Sequence, residues 1–185
     1  MELIFRDSDF SLSLLLFLGV MYANIYTNRH MIWQGGVYPM EVKYLEFICT
    51  EETFRGSEDP SVVPFDAYEN YDQITAFYDS CPECRSFPRE EYFSGDWYEN
   101  WEDRVIWEDG VIAARAGIWK VAPDKWEVAG VITRPEYRGR GYSARVVSDC
   151  AAKILEAGRT AFLSTAETNH PMIAAAKKAG FVLRG

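Results

Sequence analysis

Val131-Ile-Thr-Arg-Pro-Glu-Tyr-Arg-Gly-Arg-Gly-Tyr-Ser143 is the stretch on which the fold turns. The β-branched residues Val131, Ile132 and Thr133 end a strand, an Arg/Gly loop follows, and a helix begins near Tyr142. Gly139 and Gly141 let the backbone approach a ligand with no Cβ in the way. The helix start presents unpaired N–H groups and the positive end of its dipole to the same loop. Arg138 and Arg140 add charge-assisted donors. Successive N–H groups with guanidinium forks suit a diphosphate better than a single carboxylate.

Glycine-rich strand–loop–helix connections serve several nucleotide folds, but neither Gly-x-Gly-x-x-Gly nor a Lys-Ser/Thr after the second glycine is present. Arg138-x-x-Gly141-x-Ser143 instead resembles the acetyl-CoA motif of the GNAT N-acetyltransferase superfamily, Gln/Arg-x-x-Gly-x-Gly/Ala, with serine in the last place. The resemblance runs from about Glu41 to the end of the chain and is strongest from Trp107 on. It implies acetyl-CoA as acyl donor, with its pyrophosphate on Arg138, Gly139, Arg140, Gly141, Tyr142 and Ser143. The pantetheine arm would lie against the backbone of Val131, Ile132 and Thr133, where the fourth and fifth strands part. Asn169, ahead of Lys177-Lys-Ala-Gly-Phe181, is similar to the family's Asn…Gly-Phe ending and would bond the same arm; by itself it reads equally as a helix N-cap. Two features depart from the pattern. Ala176 stands where the family often has a tyrosine that protonates the departing thiolate, and no residues remain after Gly185 for the usual seventh strand, so the edge after Leu183 is expected to be unpaired.

Working outward from the loop, the pattern before it is of antiparallel hairpins. These are Arg104 to Trp107, a turn at Glu108-Asp-Gly110, Val111 to Val121, a turn at Pro123-Asp124, and Trp126 to Thr133. After it comes a helix to Ala157 with Val146, Val147, Cys150, Ala151, Ile154 and Leu155 on one side and Gly158 as its stop. A buried strand, Thr160 to Thr165, leads to a last helix started by Asn169 and Pro171 and ended by Gly180, then to a strand from Phe181. Upstream, Glu41 to Cys49 alternates as a first strand, Glu51 to Pro64 reads as loop, Asp66 to Tyr78 has helical spacing, and a second helix is expected near Pro88. The fold class is α/β (α+β): a GNAT-like mixed, mostly antiparallel central sheet flanked by helices. An extra N-terminal segment, residues 1–40, carries a hydrophobic helix from about Phe10 to Asn24 and is expected to pack on the domain formed by 41–185.

Composition narrows the partners. The 185 residues are 48% hydrophobic and 25% charged, which is globular. Residues 1–100 hold 18 acidic and 6 basic side chains and residues 101–185 hold 10 and 13, so a net charge of -9 divides into -12 and +3. That field argues against a nucleic-acid partner and fits an anionic cofactor on the later half and a cationic substrate on the earlier. The apolar run from Phe10 to Tyr22 is too short to span a bilayer and lacks a basic cluster before it, so no membrane association is expected and the chain is placed in the cytoplasm. A possible homodimer would cover the apolar helix. Cys49, Cys81, Cys84 and Cys150 are read as reduced thiols; Cys81-Pro-Glu-Cys84 has the spacing of half a zinc site or a redox pair, or is two loop cysteines.

Acetyl transfer to an amine requires a neutral amine, a polarised carbonyl and close approach. Glu127, eleven residues before Arg138, resembles in its offset the catalytic glutamate of the histone-acetylating branch of the family, and by residue type it reads equally as an exposed strand carboxylate. Near Trp126 and Trp119 its pKa would rise toward neutrality. The backbone N–H of Val131 is the candidate that polarises the carbonyl. The acceptor, a small-molecule amine, would meet Tyr68, Tyr71, Phe77, Tyr92, Trp97 and Tyr98, aromatic faces among carboxylates. A non-catalytic acyl-CoA-binding module is the alternative that Ala176 and the missing strand suggest.

Overall fold

The computed structural model describes residues 43–82, 84, 93 and 99–185, together with the backbone of 32–33 and 36–37. It divides into two units, 1–44 and 45–185. In the first, Ile32–Trp33 pairs antiparallel with Gly36–Val37. The expected helix from Phe10 to Asn24 and the one near Pro88 lie outside the described residues.

The second unit is built on a sheet of seven strands: β1 (Tyr44–Cys49), β2 (Val62–Phe65), β3 (Trp101–Glu108), β4 (Val111–Ala122), β5 (Lys125–Thr133), β6 (Ala161–Ala166) and β7 (Val182–Leu183). Their order across the sheet is β2-β3-β4-β5-β6-β1-β7. The hairpins fall where the turn residues put them: Asp109 and Gly110 have φ of +51° and +78°, the pair of positive values that a tight primed turn requires, and Glu108 then faces Val111. β5 and β6 are parallel, as a helical crossover between them demands.

Among the described residues three helices cover the sheet: α1 (Tyr71–Asp79), α2 (Tyr142–Glu156) and α3 (His170–Ala179). Successive residues of β3 separate the two faces. Val105 joins Ile74 and Phe77 of α1, whereas Ile106 belongs to the larger cluster with Val146, Val147 and Ile154 of α2 and Ala176 and Ala179 of α3. Burying side chains of this size contributes about 1.5–3 kcal/mol each before chain entropy is charged against it. Helix α1 starts at Tyr71 rather than Asp66, because Asp66 Oδ1 accepts the N–H groups of Tyr68 and Glu69 at 2.8 and 3.0 Å and turns the chain before the helix begins. Cys49 and Cys150 are buried free thiols. No helix among the described residues is long and apolar enough to cross a membrane.

Two expectations are corrected here. Within the segment read as loop, Val62–Phe65 forms edge strand β2, with Pro64 opposite Arg104; proline is tolerated there because an outer strand has one side without a ladder. The strand read from Phe181 does end the sheet at β7, with β1 on one side and, among the described residues, no strand on the other, but the strand beside it is not the one expected. β1, expected to lead the sheet, instead sits between β6 and β7, burying Phe47 and Cys49 and pairing Phe47 with Leu183 and Ile48 with Val182. An early strand thus occupies an interior position between two late ones.

Candidate functional site

The loop after β5 is shaped by its backbone. A 3-10 turn, Pro135–Tyr137, delivers the chain to Gly139 and Gly141, whose φ values are +77° and +83°. A Cβ on either glycine would meet no atom within 4 Å, so the space over the loop is open and the conformation alone selects glycine. Gly141 is also the N-cap of α2 and provides no side-chain cap, leaving the first-turn N–H groups available at the helix mouth. Arg138 and Arg140 are exposed and brace the loop: Arg138 Nε donates to Thr133 O at 2.9 Å and Arg140 Nη2 to Glu136 O at 3.2 Å. Thr133 Oγ1 and Ser143 Oγ, 3.0 Å apart, tie strand end to helix start. Tyr142 is buried with its hydroxyl on Glu108 at 2.6 Å, so only its backbone belongs to the loop.

Beside the loop the sheet opens. β5 and β6 are in register only at Trp126–Ala161 and Glu127–Phe162, although β5 continues to Thr133 and β6 to Ala166. On the other side of β5, Arg115 faces Ile132 and Gly117 faces Ala129, so Ala116 of β4 opposes both Gly130 and Val131. This is a β-bulge whose first residue, Gly130, has φ of +59°, and it releases the Val131 backbone from the ladder. In the opened part of β6, Ser164 Oγ is buried without a hydrogen-bond partner. Asn169 Oδ1 caps α3 by accepting the Met172 N–H at 3.2 Å, which leaves its Nδ2.

Glu127 lies at the start of this opening. It faces Trp119 across β4 and Phe162 across β6 and is 4% exposed. Burial raises its pKa; Ser164, although outside strict hydrogen-bond geometry, and Lys125 pull it down, while Glu46 adds to the rise. Neighbouring carboxylates each have a cation: Glu102 has Lys120, Glu46 has Lys125 at 3.0 Å and Arg184 at 3.2 Å, and Asp103 has Arg115. Glu127 has no salt-bridge partner among the described residues.

A buried cluster under the bulge escaped sequence reasoning. Asp103 Oδ1 accepts from Arg115 Nε at 2.7 Å and Trp101 Nε1 at 2.8 Å, and the Arg115 guanidinium lies over the rings of Tyr78 and Trp101. A Cβ on Gly130 would come within 3.1 Å of both Arg115 Nη1 and Trp101, so the bulge glycine fits closely over this cluster. The available signal was Gly130 itself, an isolated glycine within a strand pattern. Of the aromatic residues assigned to an acceptor pocket, Phe77 is fully buried against the sheet and belongs to the core, because it falls on the inward face of α1. Tyr68 is exposed and meets Phe93 edge-on at 5.1 Å. Tyr92, Trp97 and Tyr98 lie outside the described residues.

Residues 71–181 match the model of the acetyltransferase (GNAT) family. No curated protein matches the sequence. Among solved structures the chain is similar to a GNAT-family acetyltransferase from Novosphingobium aromaticivorans DSM 12444, with TM-score 0.61 and 26% identity over 76% of this chain and 59% of that one. It is also similar to a GNAT-family acetyltransferase from Colwellia psychrerythraea, with TM-score 0.62 and 17% identity over 77% of this chain and 53% of the other. A third is the ribosomal-protein alanine N-acetyltransferase from Escherichia coli, with TM-score 0.54 and 15% identity over 67% and 78%. The last two likenesses concern the fold alone. The chain spans 59% and 53% of the length of the first two relatives.

Proposed function

Since the chain belongs to the GNAT acetyltransferase family, we propose that it transfers the acetyl group of acetyl-CoA to the primary amine of a small, cationic acceptor by direct attack, with Glu127 as general base. The observation that carries this reading is Glu127 itself: a buried carboxylate with raised pKa and no salt-bridge partner among the described residues, placed where two strands part and three residues before a bulge. Such a group attracts a proton more strongly than an exposed carboxylate does, which suits removal of a proton from an ammonium near neutral pH.

Acetyl-CoA, when bound, supplies a thioester carbonyl. The open glycine loop and the start of α2 fit its diphosphate through backbone N–H groups, and the unpaired edge of β5 fits the amide groups of its arm. Val131 N–H, freed from the ladder by the bulge, is the donor placed to stabilise charge on the carbonyl oxygen. Glu127 takes the amine proton, and its cross-strand partner Trp119 is an aromatic residue of the kind that favours a cation. One observation favours non-catalytic acyl-CoA binding: Ala176, fully buried on α3, brings no hydroxyl to the place where the family often has one.

Thiol release from acetyl-CoA with a panel of amines, run beside calorimetric binding of acetyl-CoA, tests both readings. Glu127→Gln is expected to lower turnover on the order of a hundredfold, the usual scale for one general base, with donor affinity unchanged. Wild-type turnover in the variant would remove Glu127 from the mechanism. Binding without turnover of any amine would favour the second reading.

A further inference from the structure

Resting on the reading of Glu127 as the base, we propose that Ser164 of β6 is a positioning residue for the same reaction: its hydroxyl donates a hydrogen bond to the ionised Glu127 carboxylate and holds it toward the acceptor amine. Strand register brings the two together. Glu127 is in register with Phe162 across the parallel β5–β6 pair, so their side chains share a face, and Ser164, two residues on, falls on that face again. It lies beyond the last paired residue of β6, where the strands part.

The Ser164 hydroxyl has no structural occupation of its own. Its Oγ is buried without a hydrogen-bond partner, a cost that alanine at the same place would avoid. Other serines of the domain are engaged: Ser148 Oγ donates to Ser57 O at 2.9 Å, and Ser143 Oγ lies 3.0 Å from Thr133 Oγ1. What Ser164 does act on is Glu127. Burial raises the pKa of that carboxyl, and the Ser164 hydroxyl is the largest influence in the opposite direction, helped by the Ser164 N–H. A carboxylate only accepts hydrogen bonds, and a hydroxyl can rotate to donate one, so ionisation of Glu127 supplies the partner that Ser164 lacks.

The charged groups that face Glu127 come from other contacts already made. Lys125, on its own strand, attracts the carboxylate, but its Nζ is held on Glu46 of β1 at 3.0 Å and lies 5.1 Å from the centre of the Phe162 ring. Glu46 repels it and also carries Arg184, beyond β7, at 3.2 Å. Trp119 of β4 and Phe162 of β6 bring no charge. A neutral donor suits what remains to be done. It offsets part of the burial and fixes the carboxylate without pairing it with a cation that would weaken it as a base. In the transfer the proton leaves the acceptor nitrogen for a Glu127 oxygen, and Ser164 keeps its own.

The pH dependence of kcat/KM, with an amine that wild type acetylates, tests the assignment in wild type, Ser164→Ala and Ser164→Thr, each with Glu127 present and in the Glu127→Gln background. The ratio of wild type to Ser164→Ala cancels the ionisation of the amine itself. Losing a hydrogen bond to the charged form raises the pKa of Glu127, so this ratio should be about tenfold larger in acid than on its alkaline plateau. Ser164→Thr, which keeps the hydroxyl, should follow the wild-type profile, and with Glu127→Gln the ratio should not vary with pH. A ratio independent of pH with Glu127 present, a threonine variant displaced like the alanine one, or a ratio that varies with pH without Glu127 overturns the assignment while leaving Glu127 as base. If Glu127→Gln turns over at the wild-type rate, or no amine is acetylated, the base reading fails and this inference fails with it.

Discussion

The cradle and the patch around Glu127 are neighbours built in opposite ways. The cradle is a run of consecutive residues whose backbone forms the site, with exposed arginines bracing the loop and glycines chosen for conformation. The patch is assembled from side chains on β3, β4, β5 and β6, brought together by strand register, and its ionisable members are buried. A backbone site depends on a few φ values and tolerates side-chain loss. A side-chain site built across strands carries desolvated charge, so breaking one partnership there disturbs the fold as well as the chemistry.

The largest effect is therefore expected from Asp103→Ala. It leaves Arg115 buried without its carboxylate and Trp101 Nε1 without its acceptor. Removing one partner of such a pair costs about 3–5 kcal/mol, against about 1 kcal/mol or less for a partly exposed pair such as Glu46 with Lys125. Urea unfolding of Asp103→Ala and Glu46→Ala measures the contrast; equal losses would mean that the cluster under the bulge is no more dependent on its ion pair than the surface is.

Next in size is the cradle. Gly141→Val places a β-branched side chain at φ +83° in the open space over the loop, and should lower acetyl-CoA affinity more than about a hundredfold, roughly 2.8 kcal/mol. Arg140→Ala should cost less than about tenfold, because that side chain rests on Glu136 O and the Tyr137 ring. Calorimetry on the folded variants decides: an arginine loss as large as the glycine loss would make the cradle a side-chain site too.

The same division explains what the sequence disclosed. The hairpins, α2, α3 and the glycine loop were legible because turn residues, caps and helical spacing are local signals, down to Gly180 at the end of α3 with φ of +100°. The position of β1 was not legible, since nothing within Tyr44–Cys49 says that it will enter the sheet between β6 and β7. β2 was hidden by Pro60 and Pro64, residues of a loop that an edge strand also accepts. In the site, Glu127 was reached through its offset from the loop, whereas the Asp103–Arg115–Trp101 cluster depends on a register that Gly130 shifts by one residue. A bulge changes which side chains meet, and sequence spacing alone does not count it.

The smallest expected effect concerns what Glu127 does to stability. Burial raises its pKa from the ordinary value of 4.5, so the folded chain binds this proton more tightly than the unfolded chain does. Between the ordinary and the raised value the folded state holds more protons; stability is full below 4.5 and falls as pH rises through the native pKa. Above the ordinary value the raised pKa thus opposes folding. Glu127→Gln removes the titrating group while keeping size and polarity, so wild type and variant should melt together in acid and separate as pH rises, with the variant more stable at neutral pH. Each kcal/mol of difference corresponds to about 2–4 °C in a chain of this size. Thermal melts across that pH range supply the check, because parallel curves, or a variant less stable at neutral pH, would show that the carboxylate is ionised at no cost to folding. A growing gap, in the same variant that loses turnover, would show that the buried side-chain site exacts a stability cost that the backbone-built cradle does not.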